Sequence, residues 1–372
     1  MPSAKPTAAT KTAPAKPATK ASDTAVVQVT PLETAPPLAS VAKADTQASS
    51  PPAQATRGPM IALILPIGTK ALGMPAEAIK EGFNAAVTAR PETDLPIRVY
   101  PTNEQTDDLL FNYKQALDEG ASVVVGPLTK PAITTLANSG LVSVPTLVLN
   151  TPDAGTVLPG QMFAFGLSAE AEARQVARGA YGGTQTRALV ISIDTPLNRR
   201  IALAFSEEWR QLGGNIEADF QLGSQATFSR LRDTIERIRP ELVFLALDPR
   251  RARQARPYIG YGMPAYATSQ VHNGMMNAPV NRDLLGVQFV DMPWLTDKGN
   301  ELVGLYPVST QKLTADLDRL YAMGIDAYRI AAKMAKGEVP ASFEGVTGHI
   351  ELKRQQFLRT ATMTSFGSDS VQ

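Results

Sequence analysis

The chain has 372 residues, 36 basic against 35 acidic side chains, a formal net charge of +1, two histidines and no cysteine. The missing cysteine excludes disulfides, thiolate metal sites and a cysteine nucleophile. The near-balanced, interspersed charge argues against the concentrated basic face that a nucleic-acid binder needs.

Residues 1–57 contain nine prolines and no Phe, Trp or Tyr. Such a segment cannot bury enough apolar surface to offset its ordering entropy, so a disordered Pro/Ala/Thr/Lys-rich spacer is expected. Fully extended at ~3.1 Å per residue it reaches on the order of 170 Å. Residues 58–372 are too many for one typical core and suit two lobes of about 150 residues each. The longest strongly apolar run, MIALILPI, is far short of the ~20 residues that span a bilayer, and the N-terminus has no apolar signal-peptide core.

From Met60 a strand-and-helix rhythm begins. The apolar strand Met60 to Leu65 leads through Pro-Ile-Gly into a helix with Ile79, Phe83, Ala86 and Val87 on one face. PIRVYPT predicts the next strand, followed by a helix with Leu110, Tyr113, Ala116 and Leu117 inward and ended by Gly120. ASVVVGP, a helix starting near Pro131, and VPTLVLN complete a series whose alternation implies a parallel sheet.

MFAFGLS leads to a second series, with Ser168 as the expected N-cap of its first helix and Glu170 and Glu172 at the positive end of the dipole. RALVISID runs into the cap-and-proline start Thr195-Pro196. IEADFQL, a helix with Phe228, Leu231, Ile235 and Ile238, then ELVFLALDP and PAYATS continue the rhythm and are expected to close the second sheet. GVQFVDMPW predicts one more strand and Leu313 to Met334 a long helix. Phe343 to Phe366 predicts two short strands joined by a polar turn, and the last six residues are expected to fray.

The phrases ALILPIG, EGFNAA, VVGPLTK, VPTLVLN, FAFGLSAEAEARQVA, YATSQVHNG, GVQFVDMPW and GIDAYRI occur in one order along residues 59 to about 366. In that order they resemble the C-terminal domain of the penicillin-binding protein activator LpoA family, outer-membrane lipoproteins that activate class A penicillin-binding proteins. The resemblance implies a two-lobed type I periplasmic-binding-protein-like α/β fold, each lobe a parallel sheet flanked by helices, with the chain crossing three times between lobes. The expected partition is 1–57 spacer, 58–165 plus 269–338 lobe I, and 166–268 plus 339–372 lobe II. The family's helical-repeat domain has no counterpart here, and no lipobox cysteine is present. An outer-membrane lipid anchor therefore requires a cysteine and signal peptide upstream of Met1, which is the expectation for a periplasmic, tethered protein; the alternative is a chain that has lost its anchor.

No catalytic constellation is legible. His272 and His349 are far apart, and there is no G-x-S-x-G elbow, Walker loop, G-x-G-x-x-G after the first strand or H-E-x-x-H helix. The reading is a non-enzyme without cofactor or metal, acting on a class A penicillin-binding protein. The alternative is a periplasmic solute-binding protein with a small ligand in the cleft. Fold geometry places any ligand at the carboxyl ends of parallel strands, where Thr129, Asn150, Thr151, Ser269, His272 and Asn273 lie. Each could equally cap a helix or turn. The loop Ser269 to Asn277 holds no acid to receive an amino-acid ammonium, although another loop could supply one. Trp294 at a strand end is an interface anchor or a core residue, and Lys353 and Arg354 in the turn ELKRQQ are either a solvated hairpin tip or a contact for an acidic partner.

Overall fold

A computed structural model describes residues 58–367, apart from 104, 184–185, 224–226 and 277–278. The spacer expected over 1–57, Asn277 and the tail from 368 onward lie outside the described residues.

In chain order the first series is β1 (Met60–Leu65), α1 (Gly73–Ala89), β2 (Ile97–Pro101), α2 (Thr106–Asp118), β3 (Ala121–Val125), α3 (Lys130–Asn138), β4 (Thr146–Val148) and β5 (Met162–Phe165). The second is α4 (Ala169–Ala180), β6 (Arg187–Ser192), α5 (Pro196–Gln211), β7 (Asn215–Gln221), α6 (Thr227–Ile238), β8 (Leu242–Ala246), α7 (Pro249–Ile259) and β9 (Ala265–Ala267). Two 3-10 turns, Ser269–Val271 and Pro279–Leu284, lead to β10 (Val287–Asp291). The chain ends with α8 (Pro293–Thr296), α9 (Glu301–Gly304), α10 (Ala315–Ala335), β11 (Ser342–Gly345), β12 (Gly348–Lys353), β13 (Gln356–Thr360) and β14 (Thr362–Ser365).

The strands form two sheets, ordered β11-β12-β13-β5-β4-β3-β1-β2 and β14-β10-β9-β8-β6-β7. The β1 to β5 pairings and the β6 to β10 pairings are all parallel. Strands buried on both faces explain the continuous apolar runs, since alternate side chains enter different cores. In β1, Ile61, Leu63 and Leu65 join Phe83 of α1 and Tyr328 of α10, whereas Met60, Ala62 and Ile64 join Tyr113 of α2 and Leu136 of α3. In the second sheet, Leu189 and Ile191 face α6 and α7, whereas Ala188 and Val190 face α4 and α5.

Local chemistry fixes the helix starts. Thr195 accepts a hydrogen bond from the Asn198 amide, Asp248 from the amides of Arg250 and Arg251, and Ser168 from the Ala171 amide. Helices α1 and α10 cross closely because both carry glycine at the contact. A Cβ on Gly82 would sit 1.9 Å from the Tyr321 carbonyl oxygen, and one on Gly324 would sit 2.1 Å from that of Ile79.

The expected partition of the C-terminal third is corrected by the strand pairing. Val287–Asp291 belongs to the second sheet, beside β9, because both 3-10 turns stay on that sheet and the chain crosses back only at Met292-Pro293. Conversely β11 to β13 form an antiparallel extension of the first sheet, since Val346, Ile350 and Phe357 bury their side chains in its core. Four strands therefore stand where two were expected, and only β14 returns to the second sheet, antiparallel to β10. Crossings between the sheets fall after β5, β10 and β13, giving the three that the resemblance implies.

Candidate functional site

The lobes meet around two overlapping cavities. One, about 590 Å³, is bounded by the starts of α3, α4, α5 and α10 and includes Lys130, Glu170, Leu197, Ser269 and Asp316. The other, about 730 Å³, lies between α4 and the β12–β13 hairpin, and the two share Asn150, Thr151, Ser168, Glu172 and Arg174. The cleft is therefore charged, and helix N-termini converge on it as expected at the carboxyl ends of parallel strands.

Ion pairs tie its walls together. Arg319 of α10 donates from Nε to Asp291 Oδ1 at 3.0 Å and from Nη2 to Oδ2 at 2.7 Å, and Nη2 also donates to the carbonyl oxygens of Ser269 and His272. Its partner Asp291, at the end of β10, is fully buried. Burial alone would push the Asp291 carboxyl up, but hydrogen bonds from His272 and Arg319 and the Arg319 charge overcome it and hold it below the usual carboxylate range. A second pair joins the lobes in the same sense, with Arg359 of β13 donating to Glu172 of α4, whose other oxygen accepts from the Ser269 amide. Gln175 of α4 adds two bonds to the backbone of Ala361 at the third crossing, at 2.6 and 3.0 Å. Glu170, also lining the cleft, is bonded by Arg200 at 2.7 Å. Burial pushes its carboxyl up, and the Arg200 bond and charge more than reverse this, leaving it low.

The residues singled out from sequence separate into groups. Asn150, Thr151 and Ser269 line the interlobe cavities. Asn150 uses its side chain to bond the Leu128 carbonyl and the Thr151 amide. Thr129 caps α3 and faces a different, apolar cavity of about 330 Å³ with Leu72, Leu109 and Pro127. His272 does not line the cleft. Its ring is buried, with Nδ1 2.9 Å from Asp291 Oδ2, which assigns the proton to Nδ1, while Nε2 has no partner beside the rings of Phe289 and Phe366. Asn273 accepts from the Met275 amide and from Asn281, as a loop organiser. Trp294 is core, only 1% exposed, with its indole N–H donating to Asp318 at 2.7 Å. Lys353 and Arg354 are exposed at the hairpin tip; Lys353 also lines the larger cavity and pairs with Glu351 at 2.9 Å.

Arg319, Asp291, Glu172 and Arg359 were missed by the sequence reading. A signal existed for two of them: Glu172 adjoins Ala173, Val176 and Ala177 on the buried stripe of α4, and Arg319 falls among the buried residues of α10. A charge on an apolar stripe points to a buried partner. Among the described residues, no group of three or more His, Asp or Glu could hold a metal ion, and no helix is long and apolar enough to cross a membrane.

Two doubly wound α/β lobes, three crossings and a cleft at the strand ends define a type I periplasmic-binding-protein-like fold. The chain belongs to the family described as "LppC putative lipoprotein", which matches residues 53–227 and 221–366. Among curated relatives, the penicillin-binding protein activator LpoA of Glaesserella parasuis is 31% identical over 305 residues, covering 77% of this chain and 50% of that protein. LpoA of Enterobacter sp. is 27% identical over 311 residues, covering 72% and 42%. The chain thus spans about half the length of the curated relatives it matches. Among solved structures, a "putative branched-chain amino acid ABC transporter" from Chromobacterium violaceum superposes with TM-score 0.72 at 31% identity, covering 82% of this chain and 99% of that one. The LpoA C-domain from Haemophilus influenzae, described as a regulator of PBP1A, gives 0.68 at 22% identity, covering 83% and 98%.

Proposed function

We propose that this chain is a non-catalytic periplasmic activator that binds a class A penicillin-binding protein directly and raises its peptidoglycan crosslinking. The observation that carries this reading is the run of curated relatives named as activators, matched across most of the folded region. The cleft supports it. Its carboxylates Glu170, Glu172 and Asp316 are each engaged by an arginine of the same chain and Glu351 by Lys353, so a ligand ammonium would have to displace an existing partner. The ion pairs beside the crossings also stiffen the junction on which a closing flytrap would have to pivot. Activation then needs only tighter binding to the active synthase than to the idle one, where about 1.4 kcal/mol shifts the population tenfold. The proposed location is the periplasm, with residues 1–57 as the tether to the outer membrane where a lipidated cysteine precedes Met1.

The test is binding of the full chain to the class A penicillin-binding proteins of its own organism, with crosslinking assays on lipid II. Tight binding with faster crosslinking is the expected result; no binding to any of them would overturn the reading. A second reading, a solute-binding protein, is favoured by the likeness to the Chromobacterium structure. It requires stabilisation by a small ligand, about 2.7 kcal/mol at 100 times its dissociation constant, in a thermal-shift screen of amino acids and muropeptides.

A further inference from the structure

Helices α4 and α5 cover one face of the second sheet, and α6 and α7 cover the other, with the Pro279–Leu284 turn packed against α7. The two sides treat their arginines differently. Four of the five arginines of α4 and α5, Arg174, Arg178, Arg199 and Arg200, pair with Glu207, Glu208, Asp194 and Glu170, Arg210 being the exception. On the other side, Arg230, Arg237, Arg239, Arg250, Arg251 and Arg282 form no ion pair among the described residues. Arg232 lies over the Tyr258 ring at 5.6 Å, and Arg253 reaches Asn281 at 3.5 Å, which links α6, α7 and the turn. Beneath them Arg256 is buried against the carbonyl oxygens of Gly260, Tyr261 and Met263 with no carboxylate, so its charge adds to the same layer.

Residues 227–283 hold nine arginines against five acids, +4, although residues 58–372 as a whole hold 30 basic and 32 acidic side chains, −2. Set among these charges are exposed apolar side chains: Tyr261 and Met275 at 56%, Leu285 at 50% and Val280 at 49%. They are contiguous with the arginines, because Tyr261 bonds Asp283 and Asn281 bonds both Arg253 and the Met275 carbonyl.

We propose that this layer is the docking surface for a protein partner that presents an acidic face with an apolar centre. Arginine, tyrosine and methionine are the side chains enriched in protein interfaces, and unpaired guanidinium groups offer two-pronged bonds to carboxylates. A uniform polyanion, such as an anionic membrane, fits less well. Asp233, Glu236 and Asp283 are interspersed among the arginines and would be repelled, whereas a patterned protein face can meet both signs. Naming that partner as the synthase rests on the functional reading above; the surface and its chemistry do not.

The experiment measures binding of the full chain to immobilised class A penicillin-binding proteins at 50 and 200 mM salt, with vesicles of anionic phospholipid as a parallel probe. The variants are Arg250→Glu with Arg253→Glu, Arg230→Glu with Arg237→Glu, Tyr261→Ser, and a control with the same charge change in the first lobe, Lys70→Glu with Lys312→Glu. Wild type should bind less tightly at the higher salt. At least one arginine pair that melts like wild type should lose tenfold or more with a flatter salt dependence, Tyr261→Ser should weaken binding at both salts, and the control should bind normally. If wild type binds and both arginine pairs bind equally well, this surface is not the interface although the activator reading stands. If wild type binds no synthase, the activator reading falls and takes the named partner with it. Salt-sensitive binding to the vesicles alone, lost in the arginine variants, would replace the protein partner by a membrane.

Discussion

The guanidinium of Arg319 and the carboxylate of Asp291 form a two-pronged buried pair, at 2.7 and 3.0 Å, between a helix of the first lobe and the last residue of a strand in the second. Asp291 immediately precedes the crossing to α8, so the pair fixes the angle at which the chain leaves one lobe for the other. Arg319 also holds the carbonyl oxygens of Ser269 and His272. One side chain thereby joins three points of the second lobe to α10.

Removing one partner of such a pair leaves a buried charge uncompensated, at a cost of about 3–5 kcal/mol. Arg319→Met and Asp291→Leu should each lower the unfolding free energy by about that amount. The double variant should recover much of the loss, because no lone charge remains. Urea titrations of the four proteins provide the cycle. Strictly additive losses would mean the pair contributes only packing.

The pH dependence follows from the depressed Asp291 carboxyl. Its folded value lies below the ordinary 3.8, so the stability it supplies is complete well above 3.8 and is lost as pH falls through that value toward the folded one. Asp291→Asn lacks this contribution at every pH. The melting-temperature gap between wild type and Asp291→Asn should therefore be widest near pH 7 and narrow below about pH 4. A gap that widens on acidification would reverse the assignment.

How much of this was legible in sequence depends on the range of the interaction. Thr195-Pro196 and Asp248-Pro249 announce helix starts because capping is decided within three residues. The runs MIALIL and ELVFLAL announce buried parallel strands because both of their faces are covered. Strand β10 lies in the second lobe and not the first, where its place in the rhythm points, because sheet membership depends on pairing with β9, which periodicity does not encode. The cleft showed the same division: Asn150, Thr151 and Ser269 follow from strand ends, whereas the Arg359–Glu172 contact joins residues 187 positions apart.

The crossing of α1 and α10 supplies a sharper test of packing. Gly82→Ala and Gly324→Ala would each place a methyl group at about 2 Å from a backbone oxygen of the other helix, so the helices must separate. Each should cost on the order of 1–3 kcal/mol or more, despite the better helix propensity of alanine. Gly160→Ala, with nothing within 4 Å of the added methyl, should leave stability near wild type. Equal melting temperatures for all three variants would show that the helices are not in this contact.

Trp294 and the hairpin tip separate core from surface among the interface candidates read from the sequence. Trp294 packs against Tyr321 with ring centroids 5.5 Å apart and planes tilted by 35°, and it donates to Asp318, so Trp294→Ala should destabilise by about 3–5 kcal/mol. Lys353→Ala and Arg354→Ala act at exposed side chains and should change stability by less than about 0.5 kcal/mol. Any loss of partner binding by Trp294→Ala should then follow the unfolded fraction and vanish when binding is corrected for folded protein. Binding that remains weakened after that correction would restore Trp294 as a contact, reached through a rearrangement that exposes it.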